Sequence, residues 1–124
     1  MNSIHFDVCC PSDEKLAELW ISNFEHEKNL VSGKISKQEL VLKNISNLFR
    51  LSIIHYVSLR PHCVCEIVKK LETPHSNISY HLSQLCSSGI VETYNNNGRV
   101  YYTVTEFGRS IINWLEHVPK GPQK

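Results

Sequence analysis

The sequence predicts a mainly α-helical chain with one small β-hairpin, the winged helix-turn-helix class. Three features predict it. Residues 79–91 read S-Y-H-L-S-Q-L-C-S-S-G-I-V, a stretch whose apolar positions recur at helical spacing and which stops at a glycine. A shorter amphipathic stretch, residues 63–71, stands just before it across the tight Thr73-Pro74-His75 connection. Beyond it, two β-rich runs flank Asn95-Asn96-Asn97-Gly98, which tolerates the positive φ of a hairpin turn.

With 124 residues, 13 Lys and Arg against 12 Asp and Glu, and a formal net charge of +1, the chain suits one compact domain. This balance argues against a basic tail or a membrane-surface protein, so any nucleic-acid footprint comes from local clusters of cations. The first ten residues lack the basic-then-apolar layout of a secretory signal, and Ser52 and His55 interrupt the apolar run 51–57. A cytoplasmic protein is expected. Five cysteines cannot all pair within one chain, and clustered thiols in that compartment point to metal or redox chemistry rather than a disulfide scaffold.

Residues 1–11 read as a flexible arm bearing Cys9 and Cys10, residues 12–118 as the winged domain with its dimerisation helices, and residues 119–124 as a mobile tail. Pro11-Ser12-Asp13-Glu14 starts the first helix, with Ser12 as its cap. Leu16, Leu19, Trp20 and Phe24 then share one face, a stripe bulky enough to require a second helix against it. Gly33 is expected to break the pattern, and Ser36-Lys37-Gln38-Glu39 to open a second helix by a capping box. That helix carries Leu40, Val41, Ile45, Leu48 and Phe49 and is expected to run, with a bend, through residues 50–57 until Pro61 closes it.

Residues 76–88 form the second helix of the helix-turn-helix. Ile78, Leu82 and Leu85 face inward, leaving Ser76, Asn77, Ser79, Tyr80, His81 and Gln84 outside, where such polar groups reach base edges in the major groove. Arg99 sits beside the hairpin tip, placed to meet phosphates or the minor groove and to add affinity more than sequence choice. Thr105-Glu106 caps a last helix carrying Ile111, Ile112, Trp114, Leu115 and Val118. Ile111, Trp114 and Leu115 are expected to join Leu16, Leu19, Trp20 and Phe24 in the dimer interface.

Taken together these motifs resemble the ArsR/SmtB family of winged-helix repressors over residues 45–118. Residues 48–54 look like the family's Arg-Leu-x-Ile-Leu helix, Cys63-Val64-Cys65-Glu66-Ile67 like its Cys-Val-Cys-Asp-Leu box, and Ser79-Tyr80-His81-Leu82 with Leu85 and Gly89 like its Ser-x-His-Leu recognition helix. The last two carry the specificity; Thr105-Glu106-Phe107-Gly108-Arg109 is shared with many winged helices. The resemblance implies a homodimeric transcriptional repressor, not an enzyme. It would bind double-stranded operator DNA at half-sites ~10 base pairs apart and release it when a metal or metalloid ion binds.

Soft thiolate sulfur selects Cu(I), Zn(II), Cd(II), Pb(II) or trivalent arsenic-type ions. In a regular helix Cys63 and Cys65 diverge by roughly 200° and cannot share an ion. At a frayed first turn that restraint relaxes, and a helix N-terminus favours an anionic ligand. His62 adjoins them as an auxiliary ligand. Cys9-Cys10 completes the set, from an arm that in the resembled family often reaches across the dimer interface. A four-sulfur site from Cys9, Cys10, Cys63 and Cys65 suits tetrahedral Cd(II) or Zn(II); a three-sulfur site using only one of Cys63 and Cys65 matches what relatives responsive to As(III) and Sb(III) use. Both stay open at this point, as does Pb(II), and no organic cofactor is expected. The family's other site, on the last helix, is poorly represented: Glu106 and His117 are present, but Gly108 and Pro119 stand where further ligands are expected. Ligation is expected to shift the helix bearing Cys63 against the recognition helix and spoil the dimer's DNA spacing, a coupling of roughly 1 to 3 kcal/mol.

Each assignment has a plainer counterpart. Cys86 reads as a small core hydrophobe, His81 as a residue turned into the fold, and Cys63 and Cys65 as remnants of a lost site. A Cys–His hydrolase is disfavoured because the adjacent His62 and Cys63 do not orient as base and nucleophile. The alternative functions are a thiol redox switch on the same scaffold, a regulator with no metal ligand, and a winged helix that binds only protein.

Overall fold

Asn47 is where the first long helix gives way to the rest of the chain. In the computed structural model, which describes residues 14–122, the elements are α1 (Glu14–Ile45), α2 (Leu48–Leu59), α3 (Val64–Leu71), α4 (His75–Ser87), β1 (Val91–Asn96), β2 (Arg99–Val104) and α5 (Glu106–Glu116). Two compact units result, one up to Leu40 and one from Val41 onward.

Gly33 does not end the first helix, contrary to the sequence expectation. α1 runs unbroken for 32 residues. A lone glycine costs only about 1 kcal/mol against alanine in a helix, and Lys34, Lys37, Gln38 and Glu39 beyond it are good helix formers. Ser36, expected as a cap, instead turns its hydroxyl back onto the carbonyls of Ser32 (3.0 Å) and Gly33 (3.3 Å), which satisfies it in mid-helix. Within this unit the Trp20 and Phe24 rings stack at 5.6 Å, and the Lys28 ammonium lies 5.6 Å from the centre of Phe24. The three side chains thus form an i, i+4, i+8 ladder.

The break falls at Ser46-Asn47 instead. Asn47 has extended backbone, and its Oδ1 accepts from the N–H groups of Phe49 (2.9 Å) and Arg50 (3.1 Å), so α2 starts afresh at Leu48. Ile53, Ile54 and Val57 of α2 are wholly buried and form the floor of the core. Ile67 of α3, Ile78, Leu82 and Leu85 of α4, Ile90, Val91 and Val104 at the hairpin base, and Ile111 of α5 close over them. α3 ends on Glu72, which takes the left-handed conformation (φ 49°) and donates its N–H to Val68. α4 ends as expected: Gly89 adopts φ 79°, and the Ile90 N–H reaches the Leu85 carbonyl at 3.0 Å.

The hairpin is antiparallel, with Val91 opposite Val104 and Asn96 opposite Arg99. Only Asn97 (φ 53°) and Gly98 (φ 80°) form its turn, the two-residue connection whose twist suits a hairpin. Asn95 and Asn96, expected in the turn, pair with Val100 and Arg99. A third, very short edge joins them: His62 and Tyr102 exchange both backbone hydrogen bonds, at 3.0 and 2.8 Å. Thr105 caps α5, its hydroxyl oxygen accepting from the Gly108 N–H at 3.0 Å.

Candidate nucleic-acid interface and thiol step

α4 is anchored by three buried residues, Ile78, Leu82 and Leu85, at helical spacing. Its opposite face carries Ser76, Asn77 and Tyr80 exposed, with Ser79 and Gln84 half-buried at the edges. No Lys or Arg lies on α4, so amide and hydroxyl groups and the exposed His75 imidazole are what it offers to base edges. Arg99 is exposed at the first residue of β2. In the same hairpin the Tyr94 and Tyr101 rings stack, with centres 5.8 Å apart.

His81, a DNA contact in the sequence reading, is half-buried and turned toward α2. Its Nδ1 accepts from Arg50 Nε at 3.1 Å, and its ring stacks on Phe49 at 5.8 Å. Burial, then the Arg50 charge, lowers its pKa, so the ring is a neutral acceptor. The sequence reading missed Arg50 itself, which also reaches the Asn44 carbonyl (3.4 Å) and lies 5.8 Å from the centre of the Tyr80 ring. It is a cation held beside the exposed face of α4. The Arg-Leu match over residues 48–54 marked its position but not its contact with α4.

The thiol step lies at the start of α3. Cys63 is the N-cap, with extended backbone (φ −88°, ψ 165°), and Cys65 is exposed in the first turn; both thiols are free. Because Cys63 is outside the helix, the divergence expected of two helical residues does not bind them. The Glu66 carboxylate ties the step down, accepting from the Cys63 N–H at 3.1 Å and from Arg60 at 2.6 Å. These partners, Arg60 foremost, hold Glu66 at about 2. The pair is solvent-exposed, so it contributes position more than stability.

His62 is not available as the auxiliary ligand the sequence reading allowed. It is 1% exposed and both ring nitrogens are engaged. Nδ1 lies 2.8 Å from the Arg60 carbonyl, which can only accept, so Nδ1 carries the proton; Nε2 accepts from the Lys70 ammonium at 2.7 Å. Burial foremost, with the Lys70 charge adding, pushes its pKa down against the Arg60 carbonyl's opposing pull. Cys86 packs against the core, and burial raises its pKa, as suits a small hydrophobe. Among the described residues no three His, Cys, Asp or Glu side chains gather as a metal centre needs. Cys9 and Cys10 lie outside the described residues. Glu106 and His117 sit at opposite ends of α5, and the His117 ring is spent on the Asn113 carbonyl at 2.7 Å.

Of the expected dimer residues, Leu16, Leu19, Trp20, Phe24 and Trp114 are exposed. Leu115 is half-buried against the core, and Ile111 is a correction: it is 5% exposed and belongs to the core of the chain itself. Ile111 shares the inward face of α5 with Gly108 and Leu115. The outward face carries Phe107 and Trp114, with Val118 just beyond the helix; Phe107 was not among the expected dimer residues.

Residues 49–93, which hold α2 to α4 and the start of the wing, match the family described as bacterial regulatory protein, arsR family. Reduced HlyU from Vibrio cholerae is 30% identical, with a TM-score of 0.60 over 74% of this chain and 93% of that chain. This chain belongs to the ArsR family. An ArsR-family protein is a DNA-binding transcriptional regulator, not an enzyme. The cadmium resistance transcriptional regulatory protein CadC of Listeria innocua is 27% identical over 119 residues, 94% of this ArsR-family chain and 91% of that protein. A homodimeric winged helix-turn-helix DNA-binding domain from Mycobacterium bovis shares the fold, with a TM-score of 0.57 at 21% identity over 75% of this chain and 92% of that chain. Among the described residues no helix is long and apolar enough to cross a membrane.

Proposed function

We propose that this ArsR-family regulator is a homodimeric repressor whose hold on operator DNA weakens when a thiophilic ion, Cd(II) before the others, is taken up by thiolates at Cys63 and Cys65. The observation that carries the reading is the placement of two free thiols at the cap and first turn of α3, the helix directly before α4. Soft sulfur donors there fit Cd(II), Pb(II), Zn(II), As(III) or Sb(III) and exclude Mg(II) and Ca(II) as ligands of choice. Two donors are too few for any of these ions, and Cys9 and Cys10 are the remaining thiols the sequence supplies outside the described residues. Cd(II) leads because a relative that aligns with nearly the whole chain is named for cadmium resistance. In DNA binding, Asn77, Ser76, Ser79, Tyr80 and Gln84 read bases, Arg99 holds phosphate, and His81 acts by holding Arg50 in place. Leu16, Leu19, Trp20, Phe24 and Trp114 supply the dimer contact.

The test titrates the reduced full-length protein with cadmium chloride, following thiolate charge-transfer absorption and, by fluorescence anisotropy, release of a duplex selected from a random pool. Absorption and release are expected together, and Cys63→Ser and Cys65→Ser should each weaken both. Release that persists when Cys9, Cys10, Cys63 and Cys65 are all serine would end the metal reading. Release by peroxide but not by cadmium would transfer it to a thiol redox switch.

A further inference from the structure

We propose that the His62–Tyr102 backbone bridge carries the state of the Cys63–Cys65 step to the wing, so that ligation loosens DNA by withdrawing Arg99 rather than by re-spacing the recognition helices. The inference rests on the metal-responsive reading above and names its output.

Cys63 is covalently next to His62, and His62 is the one residue through which this segment pairs with the hairpin: its N–H donates to the Tyr102 carbonyl at 3.0 Å and its carbonyl accepts from the Tyr102 N–H at 2.8 Å. The side chain of His62 cannot absorb a displacement. It is buried, with Nδ1 bound to the Arg60 carbonyl ahead of it and Nε2 to Lys70 on the last turn of α3. Glu66 closes the same segment from the other side by holding Arg60 and the Cys63 N–H. Residues 60–66 are therefore a small, closed unit in which a shift at Cys63 moves the His62 peptide as well. The next group in line is Tyr102, three residues from Arg99 along β2, or about 10 Å of extended strand. Of the hairpin's residues from Glu92 to Val100, all are exposed and none is packed against the core. The wing is thus the part of the DNA-binding surface least held by anything else. By contrast, α4 is pinned by Ile78, Leu82 and Leu85, each at most 1% exposed.

The prediction separates the wing from the recognition helix. Duplex affinity would be measured across a salt series for the wild type and Arg99→Ala, each with and without cadmium chloride, alongside amide hydrogen exchange at Tyr102. Wild type should lose at least about fivefold in affinity with cadmium. Arg99→Ala should bind more weakly without cadmium, with a salt slope smaller by about one phosphate. It should then lose less than about twofold more when cadmium is added. The Tyr102 amide should exchange faster in the cadmium-treated protein and, without any metal, in His62→Ala. A full wild-type cadmium response in Arg99→Ala, or unchanged Tyr102 exchange while DNA is released, would overturn the inference and leave the metal reading standing. No effect of cadmium on wild-type DNA binding would overturn both.

Discussion

Gly108 lies so close to Ile90 that no β-carbon fits between them. A side chain at that position would strike the Ile90 carbonyl oxygen and the Val104 side chain, so α5 crosses the hairpin base at backbone contact. Thr105 fixes the crossing, donating its hydroxyl to the Gly89 carbonyl at 2.6 Å while accepting from Gly108. Helix propensity alone would make Gly108→Ala stabilising by about 1 kcal/mol. Because the obstruction is backbone, the substitution is expected instead to destabilise by about 1–3 kcal/mol, read as a lower urea midpoint. An unchanged or raised midpoint would show that the two elements have room to part.

Asn47→Ala should cost about 0.5–2 kcal/mol, since two N–H groups at the start of α2 lose their acceptor. Asn47→Asp keeps the acceptor and should recover most of the loss. Equal midpoints for the alanine and aspartate variants would mean that the cap is not what stabilises this junction.

Stability should fall on mild acidification. His62 and His81 both have pKa values lowered from 6.5, burial being the first cause in each. The unfolded chain takes up protons near 6.5 while the folded one resists, so their contribution is whole above that pH and is lost as the pH drops through 6.5 toward the folded values. Melting temperatures between pH 7.5 and 5.5 should decline, and His62→Gln should flatten the decline. A melting temperature that climbs on acidification would give the opposite sign and refute the assignment of neutral rings.

Asn77 is exposed in the first turn of α4, on a helix with no cation. An amide pairs best with adenine through two hydrogen bonds, worth about 1–3 kcal/mol of discrimination. Asn77→Ala is expected to relax preference at one base pair per half-site while leaving the salt slope intact. Binding to a panel of singly substituted duplexes reads both; a uniform loss across the panel would move Asn77 to the phosphate contacts.

Leu19 is 60% exposed on the face of α1 that also carries Leu16. Placing a charge there by Leu19→Asp should weaken self-association at least tenfold in sedimentation equilibrium and lower duplex affinity in parallel, without loss of helical circular dichroism. A variant that sediments as the wild type does would remove this face from the dimer contact.

The local signals were legible because they are settled within a turn or two of chain. Helical spacing places Ile78, Leu82 and Leu85 on one face, Gly89 stops the helix, Asn97-Gly98 turns the hairpin and Thr105 caps α5. The same local rules misread Gly33 and Ser36, where one glycine and one serine are too weak to interrupt a helix that continues favourably on both sides.

What the chain's letters determine alone is therefore the order of its elements, the family they make up and the presence of two thiols at a helix start. Tertiary structure decided which groups are free to act. His81 spends its ring on Arg50, 31 positions away, and His62 is locked by Lys70 and Tyr102. Ile111 turns inward while Phe107 and Trp114 turn out. Periodicity assigns a residue to a face, but only the packed chain determines what that face meets, because such partners are fixed by contacts between residues far apart in sequence.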